Sequence, residues 1–307
     1  MRLRHRLQFA LYRLILGLLR ALPHRAVPAL GRALGSLAFR IAGRERRVAL
    51  DNLAAAMPEL PQAQRRRLAR RSFRAVAAAA CETLSAVRLP PQELRRRLVV
   101  EGRENLERAQ AGGRGTLLLG AHLGCWELAA FAVALEAGPI HLVSNPLKNP
   151  LFDRELWRLR RSFGIERIEQ KGAARRMYKV LKGGGRIAVA LDQRIPPEEA
   201  IDVAFLGRAS LTSPLPAYLS LWAGAAVVPV FVLPEDGRYR VRIGPPILSE
   251  GSGPEAVAAL TQRYVAVLEA EIRRQPEEWL WMYRRWREGD LANPARSSLA
   301  TAAGLLE

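Results

Sequence analysis

Cysteine, histidine and lysine are scarce in this chain, and it has no long uninterrupted apolar run. Its 307 residues include two cysteines, Cys81 and Cys125. Two thiols make no disulfide framework and, with four scattered histidines, no metal-ligand spacing. A reducing compartment and a metal-free, cofactor-free chemistry are the expectation. Of 48 basic residues only four are lysine; the rest are arginine, and the net charge is +19. Such an excess favours polyanions, either nucleic acid or an anionic membrane surface. No nucleic-acid module and no internal repeat is present, so no nucleic-acid partner is expected. A non-catalytic basic binder of nucleic acid or membrane is the alternative of another class. It would respond to salt and arginine clusters rather than to any single histidine.

About 20 uninterrupted apolar residues are needed to cross a bilayer. The most apolar stretch, residues 7–22, is broken by Gln8, Arg13 and Arg20. Arg13 and the lack of a small-x-small site argue against a signal peptide. A second stretch, Val27 to Ala42, carries Arg32 and Arg40. Both are expected to be helices that lie on or dip into a membrane, a region covering residues 1–43. A short snorkelling span and two ordinary core-facing helices are the alternatives. At this length and with 49% hydrophobic residues, one large core can be buried.

What the chain does have is GTLLLGAHLGCWELAA, residues 115–130. Thr116 to Leu119 predict a buried strand, followed by a tight turn and a helix from about Cys125 to Glu136. His122 lies in the turn and Glu127 in the first helical turn. Ligands of open α/β sheets bind beyond the carboxyl ends of strands, which is where His122 falls. A neutral imidazole can take a hydroxyl proton, and a carboxylate on its other ring nitrogen would fix the tautomer. Glu127 is the candidate for that carboxylate. No serine or threonine lies between them, so the nucleophile would be the substrate's own hydroxyl. Cys125 stands beside the histidine and is expected to be inert.

Helices are expected over 44–57, 62–88, 92–98, 103–111, 150–163, 173–182, 214–223 and 254–274. Strands are expected over 98–100, 141–143, 187–191, 227–233 and 239–243. His141 is read as a strand residue without a partner. The run RRRLARRSFR makes one face of the 62–88 helix basic. Arg154, Arg158 and Arg161 share a helical face and suit bidentate phosphate binding. Asp192, Gln193 and Arg194 follow a second buried strand, at the same sheet edge as His122 if the strands are parallel. Residues 289–307 are expected to be a disordered tail.

His-x4-Glu, written HLGCWE, resembles the lipid A biosynthesis acyltransferases, the late lauroyl/myristoyl-type enzymes of the glycerolipid acyltransferase superfamily. Cys125 departs from their usual Asn. Further similarity lies in the Arg47…Asn52-Leu53…Pro58-Glu59 pattern and in Arg161 near Gly164, within a residue of an Arg-x-x-x-Gly region. The Asp192-Gln193 loop and the Trp- and Arg-rich end, Trp279 to Arg287, add to it. The resemblance implies an α/β fold, a mixed, largely parallel sheet flanked by helices, over residues 44–288. It also implies that His122 is the general base and Glu127 orients it. Arg158, Arg161, Asp192, Gln193 and Arg194 are read from the residues themselves as the substrate-binding set, Asp192 either bonding substrate or holding the arginines in place. Backbone N–H groups near Gly124 or an arginine such as Arg161 are the candidates to stabilise the oxyanion, and the sequence does not choose between them; by the resemblance, residues from Phe205 to about 223 would line the acyl pocket. The implied donor is acyl carrier protein or acyl-CoA. The acceptor is a hydroxyl of a lipid A precursor, or else of another glycolipid such as a mannosylated phosphoinositide. The implied place is the cytoplasmic face of the inner membrane.

Overall fold

The computed structural model describes residues 3–144 and 146–287; the expected tail at 289–307 lies outside them. Four helices come first: α1 (Leu3–Ala21), α2 (Val27–Ile41), α3 (Gly43–Ala56) and α4 (Gln62–Ala86). After α5 (Pro91–Arg97) the chain alternates β1 (Leu98–Glu101), α6 (Arg103–Gln110), β2 (Thr116–Gly120), α7 (Trp126–Ala137), β3 (Ile140–Val143), α8 (Pro150–Arg161), β4 (Ile165–Ile168), α9 (Ala173–Lys182) and β5 (Arg186–Ala190). A hairpin, β6 (Ile201–Phe205) and β7 (Arg208–Thr212), leads to α10 (Leu215–Ala223), β8 (Ala226–Glu235), β9 (Arg238–Ile243) and α11 (Gly253–Arg274).

Seven strands form one sheet in the order β1-β9-β8-β2-β5-β3-β4. From β8 to β4 every pairing is parallel; β9 runs antiparallel to β8 and is parallel to β1. Helices cover both faces, so the central strands are apolar throughout rather than alternating. Leu117 and Leu119 of β2 enter one core with Tyr264, Trp279 and Trp281. Leu118 enters the other, with Phe131 and Val133 of α7. The α/β class and the mostly parallel sheet expected from the sequence are therefore present.

The N-terminal helices pack on this core through small residues. A Cβ on Gly31 of α2 would lie 2.5 Å from Ala78 Cα, and one on Gly35 would lie 2.3 Å from the Phe73 carbonyl. Only glycine permits α2 to approach the alanine-rich face of α4 this closely. α1 rests on α8 through Phe9 and Tyr12, both edge-on to Phe152. No helix among the described residues is long and apolar enough to cross a membrane.

Three features differ from expectation. β4 is a four-residue edge strand whose centre, Glu166-Arg167, hides its pattern. The β6–β7 hairpin turns on Leu206-Gly207, with φ of 51° and 78°. A leucine in a left-handed position gives no turn signal. The Glu269 carboxylate holds it by accepting the Leu206 N–H at 2.9 Å. His141 does have partners: its Nδ1 lies 3.2 Å from the Arg186 carbonyl and its Nε2 3.2 Å from Glu166.

Candidate active site

β2 and β5 run side by side in register, Gly120 opposite Ala190. Two residues past each strand stand His122 and Asp192. Equal overshoot from paired parallel strands brings the two together. The His122 ring nitrogen Nδ1 is 2.9 Å from Asp192 Oδ1, and the His122 backbone N–H donates to Asp192 Oδ2 at 2.9 Å. The Trp279 indole N–H donates to the same Oδ2 at 2.8 Å. Three donors thus converge on one buried carboxylate.

Burial alone would raise the Asp192 carboxyl. The bonds from His122 and Trp279 outweigh it and hold Asp192 below the ordinary carboxylate value. Burial likewise would depress His122. The hydrogen bond and charge of Asp192, with the charge of Glu127, outweigh it and hold the imidazole above its ordinary value. An ionised Asp192 fixes the proton on Nδ1, which leaves Nε2 as the acceptor. The Gln193 amide Nε2 faces it at 3.3 Å.

The turn itself is pinned by β8 on one side and by the segment after α11 on the other. Gly124 has φ of 59°, and a Cβ there would lie 2.4 Å from the Val232 carbonyl. Gly124 N–H donates to the Glu278 carbonyl at 3.0 Å, and Leu280 N–H donates to the His122 carbonyl at 3.0 Å. Cys125 N–H donates to the Val232 carbonyl at 2.8 Å. The Cys125 thiol is buried against Ala79, away from the histidine, and burial pushes its pKa well up. It is not a nucleophile.

A cavity of about 410 Å³ opens beside the histidine. His122, Glu127, Ser144, Arg160 and Gln193 are in its polar lining, and Ala130, Val133, Leu142 and Val230 are part of its apolar wall. The Glu127 carboxylate does not bond the imidazole. It accepts from Arg160 Nε at 2.8 Å and also from the Arg160 Nη2. The guanidinium lies over the Trp157 ring, 4.7 Å from its centroid. The carboxylate bonded to the His122 ring is that of Asp192, whereas Glu127 bonds the buried Arg160 at the cavity wall.

The arginines differ from expectation in the same way. Arg158 is exposed and pairs with Glu155 at 3.2 Å, and Arg161 is exposed. Neither lines the cavity. The arginine that does, Arg160, shares the buried face of α8 with Trp157 and stands four residues before Gly164. That spacing fits Arg-x-x-x-Gly without the one-residue slip and was the available signal. Arg194 is half-buried and outside the lining; its carbonyl accepts from the Tyr283 hydroxyl at 3.2 Å. Gly124 N–H is spent on Glu278 and is no oxyanion donor. Nothing from Phe205 to Ala223 lines the cavity. Phe205 instead packs edge-on against Trp279, 5.7 Å between centroids, behind Asp192. The role of Trp279 as a donor to Asp192 had no sequence signal, because 87 residues separate them.

The chain is similar to three characterised transferases. It is 31% identical to the lipid A biosynthesis lauroyltransferase of Escherichia coli strain K12 over 290 residues, 92% of each chain. With the palmitoleoyltransferase of lipid A biosynthesis from the same strain it shares 27% over 269 residues, 87% of this chain and 86% of the relative. With the phosphatidylinositol mannoside acyltransferase of Mycolicibacterium smegmatis it shares 29% over 222 residues, 70% of this chain and 72% of the relative. The family model for bacterial lipid A biosynthesis acyltransferases matches residues 1–288, which include every residue of the His122 site and of the sheet beneath it. The chain belongs to that family of acyltransferases.

Proposed function

We propose that this acyltransferase moves a fatty acyl group from a thioester, on acyl carrier protein or coenzyme A, to a hydroxyl of a lipid A precursor. The 3-hydroxyl of an acyl chain already in place is the proposed acceptor. The observation that carries the mechanism is the His122–Asp192 pair, with Nε2 turned to the cavity and faced only by the Gln193 amide among the described residues. The acceptor hydroxyl displaces the Gln193 amide from Nε2 and gives its proton to that nitrogen. Its oxygen attacks the thioester carbon. Charge collects on the carbonyl oxygen, and Arg160 and the freed Gln193 amide, both in the cavity lining, are the proposed side-chain donors to it. The carbon–sulfur bond then breaks, and the imidazolium returns the proton to the thiolate. Ester and thiol are the products, and His122 is neutral again. Asp192 balances the imidazolium throughout, and Glu127 keeps Arg160 in place.

The apolar cavity wall suits an acyl chain. Attachment to the cytoplasmic face of the inner membrane is proposed through α1 and α2. Leu3, Leu7, Leu14 and Leu18 are exposed along one side of α1, opposite the buried Leu16 and Leu19. Leu34, Leu37 and Ile41 are exposed along α2. An apolar stripe flanked by arginines suits an interfacial helix rather than a span.

The test is acyl transfer read by mass spectrometry. Wild type and His122→Ala each receive acyl carrier protein or coenzyme A thioesters and a tetra-acylated lipid A precursor. Wild type should add one acyl mass and the variant none. Similarity to a phosphatidylinositol mannoside acyltransferase makes the mannosylated phosphoinositide the second acceptor to try. Transfer by His122→Ala at the wild-type rate would remove the mechanism.

A further inference from the structure

A second cleft, of about 690 Å³, lies across the His122–Cys125 segment from the acyl cavity and shares no lining residue with it. Its walls are α2, α4 and the turn between β8 and β9. Arg25, Arg32, Arg71 and Arg74 line it. Arg71 pairs with Glu277. The guanidinium groups of Arg25, Arg32 and Arg74 make no hydrogen bond or ion pair among the described residues, though the charge of Arg32 acts on Glu82. Unpaired guanidinium groups scattered on a convex surface are simply solvated. Here three of them, from the turn before α2, from α2 and from α4, line one concavity.

Two carboxyl groups, Glu82 and Glu278, also line the cleft. Glu82 is only 2% exposed. Glu278 Oε2 is buried and has no hydrogen-bond partner among the described residues. A buried polar atom left unpaired is costly, and it marks a place where a partner belongs. Burial first, then the charge of Glu278, pushes Glu82 up to about 7 against the opposing charge of Arg32, and burial, then the charge of Glu277, pushes Glu278 up to about 7. At neutral pH such a carboxyl can hold its proton and donate it. A cation is a poor occupant, because the arginines repel it. A nucleic-acid strand is a poor one too, because no aromatic side chain lines the cleft for a base to stack on. The complement of arginine forks around a carboxyl O–H is a compact tetrahedral anion with several acceptor oxygens.

We infer that this cleft binds a phosphate monoester group, with Arg25, Arg32 and Arg74 as its cationic wall and Glu278 as a hydrogen-bond donor beneath. Asp236 and Glu277 also line the cleft and disfavour diffuse anion binding there. Because Glu278 gives its carbonyl to Gly124, an occupant would sit one residue from the backbone that holds His122. The phosphate can come from a lipid headgroup or from a soluble molecule.

Binding without acyl transfer tests this independently of the proposed reaction. The full chain is titrated with phosphatidylcholine vesicles carrying phosphatidic acid, and with vesicles carrying phosphatidylglycerol at matched surface charge. Wild type should prefer the monoester lipid by about tenfold or more, as two charge-assisted bonds imply. The double variant Arg32→Ala/Arg74→Ala should lose that preference. Arg66→Ala/Arg70→Ala, on the exposed face of α4 outside the cleft, should weaken both vesicles alike. Arg32→Lys/Arg74→Lys, which keeps the charge and loses the forks, should fold and still lose most of the preference. Inorganic phosphate, added against sodium chloride at matched ionic strength, separates the sources. Competition assigns the cleft to soluble phosphates as well, and its absence assigns it to headgroups. Equal binding of both vesicles by wild type, or a preference that survives Arg32→Ala/Arg74→Ala, overturns the assignment.

Discussion

Asp192→Asn is the most informative single change, because its outcome follows from counting hydrogen bonds. Asp192 Oδ2 accepts two N–H groups, from the His122 backbone and the Trp279 indole, and Oδ1 faces Nδ1 of His122. Asparagine has one acceptor oxygen. Placing it at Oδ2 keeps two bonds, and placing it at Oδ1 keeps one and sets two donors against its NH2. The first arrangement wins by at least one buried bond, about 1–3 kcal/mol. The NH2 then faces Nδ1 and donates to it, which moves the ring proton to Nε2. The nitrogen that must receive the acceptor proton is now blocked. A loss in kcat on the order of 10³–10⁴ is expected, the scale of the same tautomer trap in a Ser-His-Asp triad. The imidazolium also loses its charged partner, so the raised pKa of His122 should fall. In wild type kcat/KM should rise with pH through an inflection above the ordinary histidine value of 6.5, because the neutral ring is the base. In the variant any residual activity should show that inflection shifted down. Steady-state transfer over a pH series, with the His122 ring titrated by NMR, reads both quantities. A variant within tenfold of wild type in kcat, with an unmoved His122 titration, would refute the assignment of Asp192 as the orienting carboxylate.

Glu127→Gln should leave the His122 titration much closer to wild type than Asp192→Asn does, since its bonds go to Arg160. It leaves a buried guanidinium without its anion, so a stability loss of about 1.5–3 kcal/mol by denaturant melt and a lower kcat are expected together. Cys125→Ala should transfer acyl groups within a few-fold of wild type, and the wild-type thiol should label slowly with alkylating reagents while folded. Glu82→Gln should raise thermal stability at pH 8.5 and not at pH 5. The folded pKa of Glu82, about 7, lies above the ordinary value of 4.5, so the fold binds the extra proton and stability falls as pH rises between the two. The upper bound of that loss is about 3 kcal/mol, opposed by Arg32 and shared with Glu278. That is several degrees in Tm for a chain of this size. An equal gain at both pH values would show that Glu82 is not ionising in the fold.

Much of the architecture was legible because helices and buried strands carry their own periodicity. The strand-turn-helix at Thr116–Ala137 and the strand before Asp192 are apolar runs bounded by small or polar residues, and both are present with bounds shifted by a residue or two. β4 and the β6–β7 hairpin were not legible, since one has charge at its centre and the other turns on a leucine. At the site, sequence spacing favoured Glu127 as the partner of His122 because five residues separate them. The partner lies 70 residues away, chosen by which strands pair. Register is a tertiary fact: β2 could have paired with β3 and placed a different loop beside His122. Arg158 and Arg161 were read as one functional face of α8. That face is the solvated one, and the cation that matters is Arg160, a charge on the buried side. Periodicity groups residues by face but does not say which face points inward when both carry arginine.

The same geometry makes the site a property of the whole chain. His122 comes from the end of β2, Asp192 from the end of β5, and Trp279 from the segment after α11. That last segment does two things at once. Its backbone bonds Gly124 and His122, and its indole bonds Asp192. Trp279 and Trp281 are also among the largest fully buried side chains. Hydrophobic burial of the C-terminal segment and alignment of the base are therefore one event. Asn52 of α3 donates to the Trp281 and Tyr283 carbonyls at 2.8 and 2.6 Å, and the Ser72 hydroxyl of α4 donates to the Trp279 carbonyl at 2.7 Å. The N-terminal helices thus hold the segment that holds the dyad. A perturbation at α3 or α4, remote from the cavity, reaches His122 through two hydrogen-bonded layers and no flexible loop.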